Sequence, residues 1–310
     1  MGNRLSHVAT VNERIAADGR YTAEDGSLVT VGPALAAAIA GTVSHPPDEP
    51  IAAPTAGRHR TSFEVTAEGS LQAARRLHLA GAGRIAVLNF ASARNPGGGY
   101  LGGAKAQEED LCRASLLHPC LLNAPDYYAA HRASSDLLYS HRVIWSPDVP
   151  VHRDDRGRLL SEPYPVSFLT SPAPNAGQVL RRDPGAGPRI RRALHERAGR
   201  VLAVAAHHGA RQLVLGAWGC GVFRNDPREV AAAFHAHLAA GGVFERVVFA
   251  VWDRSEESVN RAAFAERFGE PVTEGEEGGA GVAPYDATSL VGEQFLDGMR
   301  DLRPSSRSSR

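Results

Sequence analysis

Apolar positions follow two patterns along this chain. Short continuous runs rich in Val, Ile, Leu and Phe, bounded by turn residues, alternate with stretches in which apolar residues recur every three or four positions. The continuous runs are Ile85–Phe90, Arg142–Trp145, Val166–Thr170, Gln212–Ala217 and Val247–Trp252, with a shorter one at Phe63–Val65. The helical pattern occupies Ser70 up to a stop at Gly81, where a left-handed cap is easy, and then Glu108–Leu122, Ile190–His208, Pro227–Ala240 and Glu256–Phe268. Apolar strands alternating with helices predict an α/β fold, a mostly parallel sheet covered on both faces. In such sheets ligands sit beyond the carboxyl ends of the strands. The loops after Phe90, Thr170, Ala217 and Trp252 are therefore where chemistry is expected.

Upstream of the alternation, Val11–Ala17 and Pro33–Ala40 read as helical and Thr42–Arg60, rich in Pro, Ala and Gly, as a connecting loop. The expected organisation is an N-terminal extension over residues 1–60 packed on the core, a core over 61–269 and a flexible tail over 270–310. The tail is polar up to a stretch, Leu290–Leu302, long enough for one short helix, and no internal repeat is visible.

Charge and cysteine content narrow the partners. Thirty-four basic residues balance 34 acidic ones, so no global field draws the chain to nucleic acid or a membrane. A negatively charged ligand then needs a local site, built from backbone amides. Three cysteines, Cys112, Cys120 and Cys220, contain no CxxC pair, which argues against a disulfide framework and a Cys-rich zinc module. The first residues lack the apolar core of a signal peptide and no apolar run is long enough to span a bilayer, so a soluble cytoplasmic protein is expected.

Two glycine loops carry the candidate chemistry. The first follows Phe90 and places five glycines in the seven positions Gly97–Gly103, which lets the main chain approach a ligand closely. A flexible connection is the plain alternative, but it leaves unexplained Gln107, Glu108 and Glu109 at the start of a helix. Acids there also favour the helix dipole by about 0.3–1 kcal/mol. Consecutive helix residues point about 100° apart, so the two carboxylates are expected to serve different partners. The second loop, Gly216–Asn225, leads into a helix with an N-cap at Asp226, Pro227 in the first turn and Glu229 completing a capping box. A glycine turn entering a helix presents convergent N–H donors to a phosphate. It lacks the last glycine of the dinucleotide fingerprint and the GK[ST] of a triphosphate loop. Either loop alone also reads as a structural turn; together they suggest a diphosphate held between them.

In this order and with this spacing, the loops resemble the poly(ADP-ribose) glycohydrolases of the bacterial and fungal type. Gly97–Gly99, a seven-residue spacer and Gln107–Glu109 match that family's signature, with FEVT, AARRL, SPDVPVHRDDRG, TSPAPN, GCGVFRNDP and VWDRS around them. The resemblance covers roughly residues 10–268. It implies a three-layer α/β/α macrodomain with a mixed sheet and an N-terminal helical extension, acting without metal or redox cofactor. It implies Glu109 as general acid and then base, Glu108 on the ribose hydroxyls and Gln107 fixing the loop. Gly98 and Gly99, with Asn95 nearby, are implied at the diphosphate and distal ribose. Gly219, Cys220, Gly221 and Val222 are implied around the diphosphate, and Phe223 against the distal ribose. The substrate implied is poly(ADP-ribose), or ADP-ribosylated proteins, cleaved from the chain end with ADP-ribose as product, by a monomer that binds neither membrane nor nucleic acid directly.

Other residues stay quiet. The His207–His208 and His235/His237 pairs lack the i, i+4 spacing of two ligands on one helix face. Cys220 has no base implied beside it. Arg181, Arg182, Arg189, Arg191 and Arg192 read as a solvated face, with a contact to polymer phosphates as the lesser alternative. Rival readings are removal of a single ADP-ribose from protein or nucleic acid, a non-catalytic ADP-ribose reader, and a sugar-nucleotide phosphatase. The intact Glu108–Glu109 pair speaks against the reader, and the phosphatase lacks a visible metal-ligand cluster.

Overall fold

The strands at the centre of the molecule are apolar towards both faces, and their alternation assigns each side chain to one of two helical layers. The computed structural model describes residues 2–51, 60–239 and 241–269, so the expected tail lies outside the described residues. In chain order these residues form α1 (Gly2–Asp18), β1 (Arg20–Thr22), β2 (Leu28–Thr30), α2 (Gly32–Ala40), β3 (Val43–His45), β4 (Ser62–Thr66), α3 (Ser70–Leu79) and β5 (Ile85–Phe90). A short 3-10 turn, Tyr100–Gly102, precedes α4 (Gln107–Ala114), α5 (Leu117–Leu122), α6 (Pro125–Arg132), β6 (Val143–Arg153) and β7 (Leu159–Ser171). The chain continues through α7 (Ala176–Arg182), α8 (Gly187–His207), β8 (Gln212–Leu215), α9 (Pro227–Leu238), β9 (Arg246–Ala250) and α10 (Val259–Phe268).

Seven strands make one mixed sheet in the order β3-β6-β7-β5-β8-β9-β4. The pairs from β7 through β5, β8 and β9 to β4 are parallel, while β3–β6 and β6–β7 are antiparallel. Along β5, Ile85 and Val87 enter one core with residues of α1, α3, α4 and α5, while Ala86 and Leu88 enter the other with residues of α8 and α9. The same alternation runs along β8 and β9: Val214 and Val248 face the first core, and Leu213 and Val247 the second. The result is the expected three-layer α/β/α arrangement. The carboxyl ends of β7, β5, β8 and β9 share one edge, so the loops after Ser171, Phe90, Leu215 and Ala250 leave from the same side.

Three expectations are corrected. The helix expected over Glu108–Leu122 is two helices with a break at Ser115, whose backbone is extended and bridges Val151. Pro119 supplies the reason: an unbroken helix would set its ring against the carbonyl of Ser115 and leave that carbonyl without its donor. The strands expected at Arg142–Trp145 and Val166–Thr170 are the inner ends of a long hairpin. Its register shifts between Ser146 and Val149, with Asp148 at φ +46°, and prolines 147, 150, 163 and 165 mask the strand signal in the sequence. Thirdly, β3 comes from the stretch expected as a connecting loop and pairs with β6 at the sheet edge.

Candidate active site

The first glycine loop is bound to the sheet by the residues that open α4. Gln107 accepts from the Phe90 N–H through Oε1 (2.8 Å) and donates through Nε2 to the Leu88 carbonyl (2.8 Å) and to Ser70 Oγ (3.1 Å). One side chain thus fixes the start of α4 to the end of β5 and the start of α3. Glu108 is buried; its Oε2 accepts from the Ser92 N–H at 2.6 Å and its Oε1 from Asn89 Nδ2 at 3.3 Å. Glu109, also buried, accepts from the Gly99 N–H through Oε1 at 2.8 Å, while its Oε2 is buried with no hydrogen-bond partner.

Gly98 explains why glycine is required here. Its φ is +60°, and a Cβ on it would lie 2.4 Å from Glu109 Oε1 and 3.1 Å from Glu108 Oε2. The main chain of the loop therefore lies directly against both carboxylates. Asn95, exposed, closes the turn before it by accepting from the Gly98 N–H at 3.0 Å.

The far ends of α4 and of the loop rest on α1. Asn12 donates to the carbonyls of Cys112 (3.3 Å) and Arg113 (2.7 Å), while its Oδ1 accepts from His152 and from two nitrogens of Arg153. Tyr100 donates its hydroxyl to the Ala9 carbonyl, and its ring lies 5.1 Å from that of His118, which pairs with Glu13 at 2.9 Å.

The second loop is closed by Asn225. Its buried amide donates to the carbonyls of Pro174 (2.8 Å) and Gly219 (3.1 Å), and its backbone N–H donates to Gly219 as well (3.1 Å). Gly219 sits at φ +72°, with the Ala173 methyl where a Cβ would go. The outer part of the loop is open: Val222 is 85% exposed, and a Cβ on Gly221 would meet nothing within 4 Å. Phe223 is partly buried, its carbonyl accepting from the Gly177 N–H and its ring 6.0 Å from that of Tyr139. Asp226 caps α9 by accepting from the Arg228 N–H.

The two loops leave adjacent parallel strands, β5 and β8, about 4.8 Å apart. Phe90, Cys220 and Phe223 pack against the same core, and Phe90 abuts Gly216. The candidate catalytic and binding residues named from the sequence therefore sit on two neighbouring loops and one helix end, while the arginine cluster and the histidine pairs lie on or beside α7, α8 and α9. Asn89, Ser92, Asn225 and Asn12 were not singled out. Asn89 had a visible signal, an amide inside an otherwise apolar strand, and Asn225 adjoins the Asp226 cap.

Burial decides the local electrostatics. Desolvation pushes the Glu108 carboxyl up to about 8 against the opposing donors Ser92 and Asn89, with the neighbouring Glu109 charge adding to the rise. Glu108 is thus mostly protonated at neutral pH. Burial also pushes the Cys220 thiol up to about 12, so it stays a thiol and not a nucleophilic thiolate. Among the described residues no group of three or more His, Cys, Asp or Glu is arranged to hold a metal ion, and no helix is long and apolar enough to cross a membrane.

Residues 9–154 match the family model of the microbial-type PARG catalytic domain. The poly(ADP-ribose) glycohydrolase of Thermomonospora curvata is 47% identical, with a TM-score of 0.80 over 86% of this chain and 100% of that one. The structure of that enzyme bound to the inhibitor ADP-HPD aligns at 46% identity and a TM-score of 0.79, again over 86% of this chain and 100% of that one. The enzyme from Deinococcus radiodurans in complex with ADP-ribose is 48% identical, with a TM-score of 0.72 over 76% of this chain and 97% of that one. No protein with a curated description matches the chain. With its two glycine loops on adjacent strands of a macrodomain sheet and this identity over most of its length, the chain belongs to the microbial-type poly(ADP-ribose) glycohydrolase family.

Proposed function

We infer that this protein hydrolyses the ribose–ribose O-glycosidic bond of poly(ADP-ribose) and releases ADP-ribose, working from chain ends. The observation that carries the reading is the state of Glu109: one oxygen is clamped by the Gly99 N–H, and the other is buried with no partner. A carboxyl held by one oxygen on a helix end has a fixed direction and one oxygen left for proton transfer. In this role the protonated Glu109 gives its proton to the ribose oxygen that leaves as the bond to the anomeric carbon breaks. The resulting carboxylate then takes a proton from the water whose oxygen bonds to that carbon. The net change is one water added across one glycosidic bond.

Glu108 holds the ribose hydroxyls, and Gln107 keeps the helix end at the strand. Gly98 and Gly99, with Asn95 beside them, line the diphosphate and distal ribose. Gly219, Cys220, Gly221 and Val222 wrap the diphosphate from the other loop through backbone groups, and Phe223 packs on the distal ribose. The chain works as a cytoplasmic monomer on poly(ADP-ribose) or ADP-ribosylated proteins, with residues 61–269 as the body of the catalytic core and the described part of residues 1–60 packed on it and adding β3 to the edge of its sheet.

The test is product analysis with purified wild type and Glu109→Gln on poly(ADP-ribose), with a chelator present. Wild type is expected to release free ADP-ribose and the variant to lose about 10²-fold or more in rate, as for a missing acid–base group. Binding of ADP-ribose by both proteins without cleavage would reject the glycohydrolase in favour of a reader or a different ADP-ribosyl linkage.

A further inference from the structure

Arg197, inside α8, is a fully buried charge that the chemistry above leaves unused. Its hydrogen bonds nevertheless go to carbonyl oxygens and not to carboxylates. Nη1 donates to Pro172 at 2.7 Å, and Nη2 donates to Leu138 at 2.7 Å and Tyr139 at 3.0 Å. Nε is buried without a partner. Burial lowers the guanidinium pKa to about 10, which still leaves it charged at neutral pH. An isolated buried charge is unfavourable, so its presence calls for a reason beyond filling space.

The two segments it grips are the ones that hold the second glycine loop. Pro172 belongs to the stretch after β7 that also supplies Pro174, whose carbonyl accepts from Asn225, the residue closing that loop on Gly219. Three residues after Pro174, Gly177 donates its N–H to the Phe223 carbonyl. Leu138 and Tyr139 belong to the other segment. Tyr139 has φ +60°, a conformation disfavoured for its type, and its ring neighbours that of Phe223. The segments are joined to each other by the Asn175 N–H donating to the Leu137 carbonyl at 2.9 Å. A planar fork with donors on both terminal nitrogens is suited to tie two strands of main chain at fixed spacing, which a lysine cannot do.

We propose that Arg197 is a positioning residue for ADP-ribose binding, clamping the 137–139 and 172–175 segments so that Phe223 and Gly219 present a preformed wall to the ligand. The proposal rests on the functional reading above. It assigns Arg197 to ligand affinity, whereas Glu109 lies on α4 beyond its contacts.

The test compares Arg197→Met, Arg197→Lys and Arg200→Met. Arg200 is a matched control on the same helix: it donates to the carbonyls of Glu49 (2.6 Å) and Pro46, which belong to a segment that touches neither glycine loop in any contact described above. For each protein, the dissociation constant for ADP-ribose, KM and kcat on poly(ADP-ribose), and the thermal midpoint are measured. Arg197→Met is expected to raise the dissociation constant and KM about ten-fold, the size of one lost charge-assisted contact, with kcat within about three-fold of wild type. Arg197→Lys is expected to recover part of the loss, and Arg200→Met to lower the midpoint without moving KM. Unchanged ADP-ribose affinity in Arg197→Met, or an equal loss in Arg200→Met, overturns the proposal. Should Arg197→Met not fold, the lysine variant decides: wild-type KM and affinity there overturn it as well. Wild-type protein that binds no ADP-ribose would instead defeat the functional reading on which the proposal rests.

Discussion

The two glycine loops leave neighbouring strands of one sheet but are built in opposite ways. In the first, glycine is required by what lies inside: the main chain at Gly98 sits against two buried carboxylates, and the loop is supported from below by α1, α4 and Gln107. In the second, Asn225 closes the loop on Gly219 and ties it to the Pro174 carbonyl, Gly177 holds the Phe223 carbonyl, and the outer residues Gly221 and Val222 face solvent. On the functional reading proposed above, the first loop is organised chiefly around the carboxylate pair and the second around an open surface for the ligand. Changes in the first are therefore expected to act on turnover, and changes in the second on binding.

The largest effect is expected from Gly98→Ala. The added methyl would lie 2.4 Å from Glu109 Oε1 at a φ that disfavours any side chain, so the carboxylate must move. Misplacement of about 1 Å is enough for a loss of roughly 10²-fold in kcat, read by steady-state kinetics. A loss below three-fold would show that the first loop yields as easily as the second.

Next comes the pH dependence of stability. The folded-state pKa of Glu108 is raised to about 8, above its unfolded value, so the folded state binds the extra proton between those values. The contribution of Glu108 to stability is then fully present below about 4.5 and is lost as pH rises towards 8, by on the order of a few kcal/mol. Glu108→Gln, which stays neutral, is expected to flatten that decline in thermal midpoints recorded across this range. A parallel decline in both proteins would remove Glu108 as its source.

The two asparagine supports divide the same way. Asn12→Ala leaves the carbonyls at the end of α4 and the Arg153 guanidinium short of partners, and is expected to cost about 1–3 kcal/mol of stability and to lower kcat more than it raises KM. Asn225→Ala is expected to cost a similar amount but to raise KM and leave kcat nearly unchanged. Reversal of that split would break the comparison. The smallest effect is expected for Gly221→Ala, within about 0.5 kcal/mol of wild type by denaturant unfolding, since its Cβ meets nothing and its φ is not positive.

Legibility followed locality. The strand Ile85–Phe90 and the cap at Asp226 were readable because their signals lie in a few consecutive residues. Gln107, Glu108 and Glu109 were readable as a group because a helix start follows a glycine loop. The β6–β7 hairpin was largely hidden, since prolines 147, 150, 163 and 165 and the bulge at Asp148 erase the alternation that marks a strand. Asn12 was invisible for a different reason: it meets its partners 100 to 141 positions later, and no window of sequence contains both. Asn225 closes its loop on Gly219 only six positions away, but its second partner, Pro174, is 51 positions upstream.

The reach of Asn12 also matters during synthesis. Asn12 is synthesised well before its partner Arg153, which follows 141 residues later. At 5–20 residues per second that delay is on the order of ten seconds. In the later part of that interval α4 and its glycine loop can already meet α1, while Asn12 Oδ1 still waits for His152 and Arg153. A nascent chain interrupted before the β6 strand is complete would hold both carboxylates and still lack the His152 and Arg153 donors that hold the Asn12 amide beneath α4.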